Sequence, residues 1–401
     1  MPKKISIVVG LGFGDEGKGL ATDYLSFKSL HYQENTLVIR FNGGQQAGHT
    51  VVTGEGKRHV FSNFGSGTLR GFPTYWSKYC TFSPASYLKE FQAITLLGVI
   101  PILFVDKLCA ITTHYDVLYN RRMELSRGDA RHGSCGMGFG ATIERQQLTP
   151  YKLYAQDLLF PELCAIKLKA IRKYYQSKFE KETTIDFQQF DHSSEDELFI
   201  SCIESLQSFQ KNHVLKFVNE PEILQLAEYQ HFIFEGAQGI LLDMDFGFFP
   251  HVTRSNTTSK NAIELIRNYF PHLLKDTQLY YVTRAYQTRH GAGNMTHENE
   301  KLILKNNEKE TNQFNDYQGV FRVSPLDLDL LNYSLLCDQN FSYGLNKNLL
   351  VTCLDQVDSQ GVNCYFENQK QHIFYQKIPS FLAASFQKVM YSFSDCGEKI
   401  I

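Results

Sequence analysis

The sequence predicts an α/β fold: one large domain, residues 1–401, with a central, mostly parallel sheet, a P-loop-like glycine-rich turn after the first strand, a helical covering layer and insertions. Two observations carry this. Five short apolar runs, rich in β-branched residues, each end in glycine or polar residues. That is the pattern of an open α/β sheet, whose ligands lie outside the carboxyl ends of the strands. Between the second and third runs, residues 155–230 are rich in Leu, Lys and Glu at helical spacing, which predicts a covering layer of helices.

In chain order, residues 5–9 read as a buried strand ending in Gly10, followed by the glycine-rich turn 10–19 and a helical stretch from 20 to 26. Residues 37–41 form the second expected strand and run into the polar, glycine-rich 42–50. The third, 232–235, ends in Gly236-Ala237-Gln238-Gly239; the fourth, 278–284, leads to the loop 287–293; the fifth, 349–354, ends in Asp355. Residues 294–315 are strongly polar and are expected to form a loop. No internal repeat, Pro- or Ser-rich linker or low-complexity tract interrupts the chain, so one domain with insertions is expected.

Composition narrows the function. A net charge of −2 gives no basis for binding nucleic acid or an anionic membrane surface, so ligand phosphates must be met by local groups. The nine cysteines are odd in number, irregularly spaced and lack a CxxC pair. That argues against a disulfide framework or structural zinc and for reduced thiols in the cytoplasm. No apolar stretch reaches the ~20 residues of a membrane span, and the apolar run near the N-terminus is short for a signal peptide.

The turn Gly10-Leu11-Gly12-Phe13-Gly14-Asp15-Glu16-Gly17-Lys18-Gly19 contains both a dinucleotide-type GxGxxG and most of a P-loop. Neither match is complete, because a P-loop carries Ser or Thr where this chain has Gly19. Glycines let backbone N–H groups approach phosphate oxygens, the following helix start favours anions, and Lys18 adds a cation. An acid inside such a loop is costly unless it binds magnesium or moves a proton. The alternative is a tight strand-to-helix turn with Asp15 and Glu16 as solvated helix-start residues.

Seven blocks, in order, resemble the adenylosuccinate synthetase family. Gly14-Asp15-Glu16-Gly17-Lys18-Gly19 is similar to its first signature, and Gly43-Gly44-Gln45-Gln46-Ala47-Gly48-His49-Thr50 to GGNNAGHT. Gly133-Ser134-Cys135-Gly136-Met137-Gly138-Phe139-Gly140 resembles GTTGRGIG, and Phe234-Glu235-Gly236-Ala237-Gln238-Gly239 matches FEGAQG. Val252-Thr253-Arg254-Ser255-Asn256-Thr257-Thr258 resembles VTSSNTT, Ala285 to Gly293 resembles AYTTRVGAG, and Thr352-Cys353-Leu354-Asp355 stands where TKLD is expected.

The resemblance implies a ligase that phosphorylates O6 of IMP with GTP or ATP and replaces that phosphate with L-aspartate. It assigns Asp15 as the base for the purine N1 proton, and Asp15 with the Gly48 carbonyl as magnesium ligands. His49 becomes general acid and charge stabiliser, and Lys18 neutralises phosphate. Donor contacts fall on Gly14, Glu16, Gly17, Lys18, Gly19, Gly48, His49, Thr50 and Asp355. Acceptor contacts fall on Asp15, Gln46, Cys135, Gln238 and Thr253. Aspartate contacts fall on Arg322 and Gln318. Taken singly, His49 also reads as a surface or capping residue, Asp355 as a turn cap, and Arg289 as a surface ion pair rather than an active-site loop residue. A homodimer is also implied, with no nucleic-acid or membrane partner.

The chain departs from the family at ligand contacts. Gln46 and Cys135 replace family residues that hold the acceptor 5′-phosphate, and Thr149 stands where the family has an arginine that crosses the dimer; Arg145 lies nearby but out of register. The segment 315–322 keeps one arginine, Arg322, of an arginine-rich loop, and resembles the Q-G-x-x-R form of relatives that use dGMP. Cys353 replaces a lysine that packs on the donor base. These departures keep open dGMP or GMP as acceptor, either GTP or ATP as donor, and a binding protein without the reaction; a plain P-loop GTPase or kinase fits least.

Overall fold

The computed structural model describes residues 3–183, 186–308, 310, 314–358 and 361–401. Nine strands form the central sheet: β1 (Lys4–Gly10), β2 (Thr36–Arg40), β3 (Thr74–Trp76), β4 (Leu103–Asp106), β5 (Leu215–Val218), β6 (His231–Gly239), β7 (Gln278–Arg284), β8 (Asn346–Thr352) and β9 (Lys388–Tyr391). They lie in the order β9-β8-β7-β1-β6-β2-β3-β4-β5, and every neighbouring pair is parallel. Burial on both faces explains the apolar runs: all five residues of β2 are buried, and six of seven in β1.

Alternate residues of β1 serve opposite layers. Ile5, Ile7 and Val9 join a core with α7 (Lys260–Tyr269) and α8 (Leu328–Ser342), while Val8 packs with Leu20 and Leu25 of α1 (Lys18–His31). A second core gathers Trp76, Leu103 and Leu215 against α2 (Pro84–Leu96), α3 (His114–Arg127), α5 (Pro161–Glu182) and α6 (His192–Lys211). The last two helices are the expected covering layer. Between α3 and α5 lies α4 (Phe139–Leu148).

The five expected strands are β1, β2, β6, β7 and β8, the middle of the sheet. The four outer strands β3, β4, β5 and β9 were not expected. Each is three or four residues long, too short to show a period, and β5 sits inside the Leu/Lys/Glu-rich stretch read as wholly helical. The described residues from 294 to 308 carry no helix or strand, as expected. Residues 309 and 311–313 of that polar stretch lie outside the described residues, and Phe314–Asn315 pairs with Gly319–Ser324.

The chain leaves β1 for β2 and moves outward to β5. It then returns to insert β6 between β1 and β2, and places β7 and β8 on the other side of β1. The carboxyl ends of β1, β2, β6, β7 and β8 therefore meet where the winding reverses, the place at which such sheets bind ligands.

Candidate active site

The turn after β1 folds around its own acid. The Glu16 carboxylate accepts hydrogen bonds from the N–H groups of Gly12 and Gly14, both at 2.9 Å, and pairs with Lys18 Nζ at 2.5 Å. Glu16 and Lys18 are each 3% exposed, so the reading of solvated helix-start acids does not hold for Glu16. Gly14, Asp15 and Gly17 have φ of +101°, +59° and +97°. Two glycines, and an aspartate that tolerates the left-handed region, bend the chain into α1. Neighbouring strand ends anchor the turn: Thr352 Oγ1 donates to the Glu16 carbonyl at 2.7 Å, and Arg284 Nε donates to that of Asp15.

Gly19 explains the missing P-loop hydroxyl. A Cβ there would stand 2.9 Å from His49 Cβ and 3.1 Å from Ser66 Oγ. Its absence lets His49, from the strand His49–Val52, press against the start of α1. His49 Nδ1 lies 2.5 Å from Oε1 of Glu235, which β6 buries completely. Ser66 gives Glu235 its N–H at 2.9 Å and its hydroxyl. A carboxylate at Nδ1 fixes the proton on that nitrogen and leaves Nε2 for a ligand. Burial, with Arg40 beside it, pushes His49 down to about 4 against the pull of Glu235. Burial raises the Glu235 carboxyl, but His49, Arg40 and Ser66 outweigh it and hold it below the usual carboxylate range. The ring is therefore a buried neutral imidazole facing a carboxylate, not a surface or capping histidine.

Asp15 points its carboxylate toward His290 Nε2, 3.6 Å away. Burial raises the Asp15 carboxyl, against Arg284, His290 and Lys18. His290 comes from Gln287–His290, which pairs antiparallel with Gly319–Ser324, and both its ring nitrogens are buried without hydrogen-bond partners among the described residues. The sequence reading assigned no role to Glu235, His290, Arg284 or Thr352, although three stand inside quoted motifs and Arg284 ends a strand.

On the other side of the turn, Gln46 and Gln238 flank Gly43. A Cβ on Gly43 would lie 3.8 Å from Gln46 Nε2 and 4.0 Å from Gln238 Oε1. Both amide atoms of Gln46 and Oε1 of Gln238 are buried without partners among the described residues, as groups waiting for a ligand are. Gln238 has φ +58° at the end of β6, and Asn42 exchanges two hydrogen bonds with Ala237 beside it, at 2.7 and 3.0 Å. Thr253 is half-buried and tied by its N–H to the Leu242 carbonyl at 2.8 Å. Cys135 lies in a half-buried loop whose Gly133 packs on Gly291 and whose Gly136 packs on Tyr317. Burial raises its thiol.

Arg145 is fully buried in its own subunit, bound to Asp116 at 2.9 and 3.0 Å and to the carbonyls of Ile111 and Tyr151, so it does not reach a partner chain. Arg289 is 2% exposed rather than a surface ion pair, and stacks 4.3 Å over Phe13 at the glycine-rich turn. Its guanidinium meets the carbonyls of Asn294 and His251. Arg322, its cross-strand partner, pairs with Glu298, donates to the Gly291 and Gly293 carbonyls, and lines a cavity of about 610 Å³ with Arg131, His132, His251 and Asn294. Gln318 packs its stem 2.9 Å from the position of a Cβ on Gly291.

Asp355 is half-buried in the short turn Leu354–Gln356 beyond β8, next to Cys353 at φ +57°; burial raises its carboxyl. For a divalent cation, the fit is that of a site shared with a ligand. Among the described residues, no group of three His, Cys, Asp or Glu side chains is arranged to hold a metal ion by itself. The Asp15 carboxylate is one-quarter exposed and, among the described residues, has no cation at hydrogen-bonding distance, and Gly48 is exposed. One carboxylate, one carbonyl and phosphate oxygens suit magnesium.

Fold and site together define a parallel-sheet protein with an anion-binding glycine-rich turn, an acid and a buried His–Glu pair at its switch point. The profile of the adenylosuccinate synthetase family matches residues 7–391. The chain belongs to that family. It is 32% identical over 293 residues to an adenylosuccinate synthetase of Marinomonas sp., an alignment covering 72% of this chain and 63% of that relative. It is 30% identical to one from Coxiella burnetii, covering 78% of this chain and 68% of the relative. The chain thus spans under two thirds of the Marinomonas relative's length. Among solved structures, a fully ligated adenylosuccinate synthetase from Plasmodium falciparum superposes with a TM-score of 0.76 at 17% identity, covering 99% of both chains. A cyanophage S-2L succinoaminodeoxyadenylate synthetase, bound to dGMP and to dATP as energy donor, superposes with a TM-score of 0.65 at 15% identity, covering 100% of this chain and 95% of that one.

Proposed function

We propose that the protein is a purine nucleotide–aspartate ligase: it phosphorylates O6 of IMP with GTP or ATP and then displaces that phosphate with L-aspartate, giving adenylosuccinate. The observation that carries this reading is the juxtaposition created at Gly19, where the His49–Glu235 pair meets the turn bearing Asp15 and Lys18. An isolated anion-binding turn has no use for a buried carboxylate that orients a histidine toward it.

In this reading Asp15 takes the N1 proton as O6 attacks the γ-phosphorus, and the β–γ bridging bond breaks to release the nucleoside diphosphate. The raised Asp15 carboxyl brings its affinity for a proton closer to that task. His49 presents Nε2 to the transferring group. Because Nδ1 keeps its proton toward Glu235, His49 can donate from Nε2 only after taking up a second proton, which the donor's negative charge favours. The aspartate amine then attacks C6, and phosphate leaves with the former O6. Magnesium, held by Asp15, Gly48 and phosphate oxygens, would screen charge on the donor. Lys18, with Gly17, Gly19 and Thr50, serves the donor phosphates, and Asp355 its base; the Gly14 N–H is already taken by Glu16. Gln46, Gln238, Cys135 and Thr253 serve the acceptor, and Arg322 with Gln318 the aspartate carboxylates.

A second reading keeps the chemistry and changes the acceptor to dGMP or GMP. It is favoured by Arg322, the only arginine in 315–322, whose guanidinium is already engaged by Glu298 and two carbonyls. We propose further that the chain acts as one domain, 1–401, in a cytoplasmic homodimer; the nine cysteines are free thiols, which suits that compartment. No helix among the described residues is long and apolar enough to cross a membrane.

The test is a product screen by mass spectrometry with magnesium, aspartate, GTP and ATP, and IMP, GMP, dGMP or inosine in separate reactions. An aspartate adduct from IMP supports the first reading, and one from a guanine nucleotide alone supports the second. No adduct from folded protein would leave a nucleotide-binding protein without the reaction.

A further inference from the structure

In a P-loop, converging backbone N–H groups and a lysine enclose a phosphate. Here that hollow is filled by the chain itself. Glu16 Oε1 takes the N–H groups of both Gly12 and Gly14, and Oε2 takes the Lys18 ammonium. The fold makes room for it. Gly10 and Gly239 are register partners on adjacent strands, and a Cβ on either would collide with the Glu16 carboxylate; one on Gly12 would come within 3.2 Å. The Glu16 carbonyl is clamped as well, by Thr352 Oγ1 at 2.7 Å. A donor phosphate on the same N–H groups would stand at hydrogen-bond range from a carboxylate, where like charges exclude one another.

We propose that Glu16 is a positioning residue that serves as the built-in anion of the glycine-rich turn, fixing the turn and Lys18 and taking no part in holding the donor. This reassigns Glu16 from the donor ligands implied by family resemblance. It refines the ligase reading and rests on it for its kinetic consequence, but not for its structural one.

The experiment is chemical rescue in the full chain. Glu16→Ala empties the hollow, and formate is a carboxylate small enough to refill it. Formate is expected to raise the melting temperature of E16A and not that of the wild type. E16A is expected to lose about tenfold or more in kcat, as when charge-assisted hydrogen bonds are removed, with the donor KM within about threefold, and formate should restore part of kcat. Equal formate effects on both proteins, or retained kcat with a donor KM raised more than about tenfold, would overturn the proposal. If E16A does not fold, Glu16→Gln keeps the shape and drops the ion pair. Reduced kcat with unchanged donor affinity by calorimetry then supports the proposal, and lost affinity with unchanged kcat overturns it. If the wild type forms no adduct, the ligase reading fails, while the formate comparison, or donor calorimetry on E16Q, still decides the role of Glu16.

Discussion

Glu235 Oε1 stands 2.5 Å from His49 Nδ1, joining the middle of the central strand β6 to a residue 186 positions earlier in the chain. Glu235→Gln keeps the volume but can turn either its oxygen or its NH2 to the ring, so the tautomer is no longer fixed. The expected result is a loss in kcat on the order of 10²-fold, within the range of one general acid–base group. His49→Gln should lose at least as much. Circular dichroism and melting curves check that both variants fold.

Gly19→Ser would restore the residue type of an ordinary P-loop, and here it is expected to do harm. The added Cβ meets His49 Cβ at 2.9 Å and Ser66 Oγ at 3.1 Å. Overpacking of this kind costs about 1–3 kcal/mol. A lower melting temperature and a reduced kcat/KM for adduct formation should appear together.

The five central strands were readable because each is buried on both faces and ends in glycine or polar residues. The outer strands are too short for any period to show. Asp15, Lys18 and His49 were legible through local motifs. The Glu235–His49 pair was not, because it depends on β6 returning to lie between β1 and β2, and no local pattern encodes that insertion. Gly19 was legible as a departure from the P-loop, but its cause became visible only when His49 packed against it.

Asp15→Asn is the informative change at the proposed base, because asparagine tolerates the left-handed φ of +59° that alanine would strain against. Phosphoryl transfer should be lost with the melting temperature unchanged or raised, since burial of this carboxyl opposes its charge. Turnover near the wild-type rate would remove Asp15 as the base.

Asp355→Asn tests the donor base. A carboxylate can accept from both N1–H and the 2-amino group of guanine, and such hydrogen bonds to a charged group are worth about 1.5–3 kcal/mol. The ratio of kcat/KM for GTP over ATP should fall by about tenfold or more. An unchanged ratio places Asp355 away from the base.

His231 links stability to pH. Its ring lies between Ser6 Oγ at 2.9 Å and Ser29 Oγ at 2.6 Å, with Glu34 at 4.0 Å, and burial together with Lys4 lowers it from 6.5 to about 3. The folded state thus binds this proton less readily than the unfolded chain. Its stabilising contribution is complete above pH 6.5 and is lost as pH falls toward about 3. Denaturant unfolding of His231→Gln should show a shallower fall in stability across that window than the wild type.

The central claim is that O6 of the purine is phosphorylated before aspartate replaces it. Whichever purine monophosphate gives the adduct should be supplied with ¹⁸O at O6, and the inorganic phosphate collected for mass spectrometry. One ¹⁸O in the phosphate for each adduct formed is the predicted result. Unlabelled phosphate accompanying adduct would contradict the account, because the oxygen would then have left C6 without ever having been bonded to phosphorus.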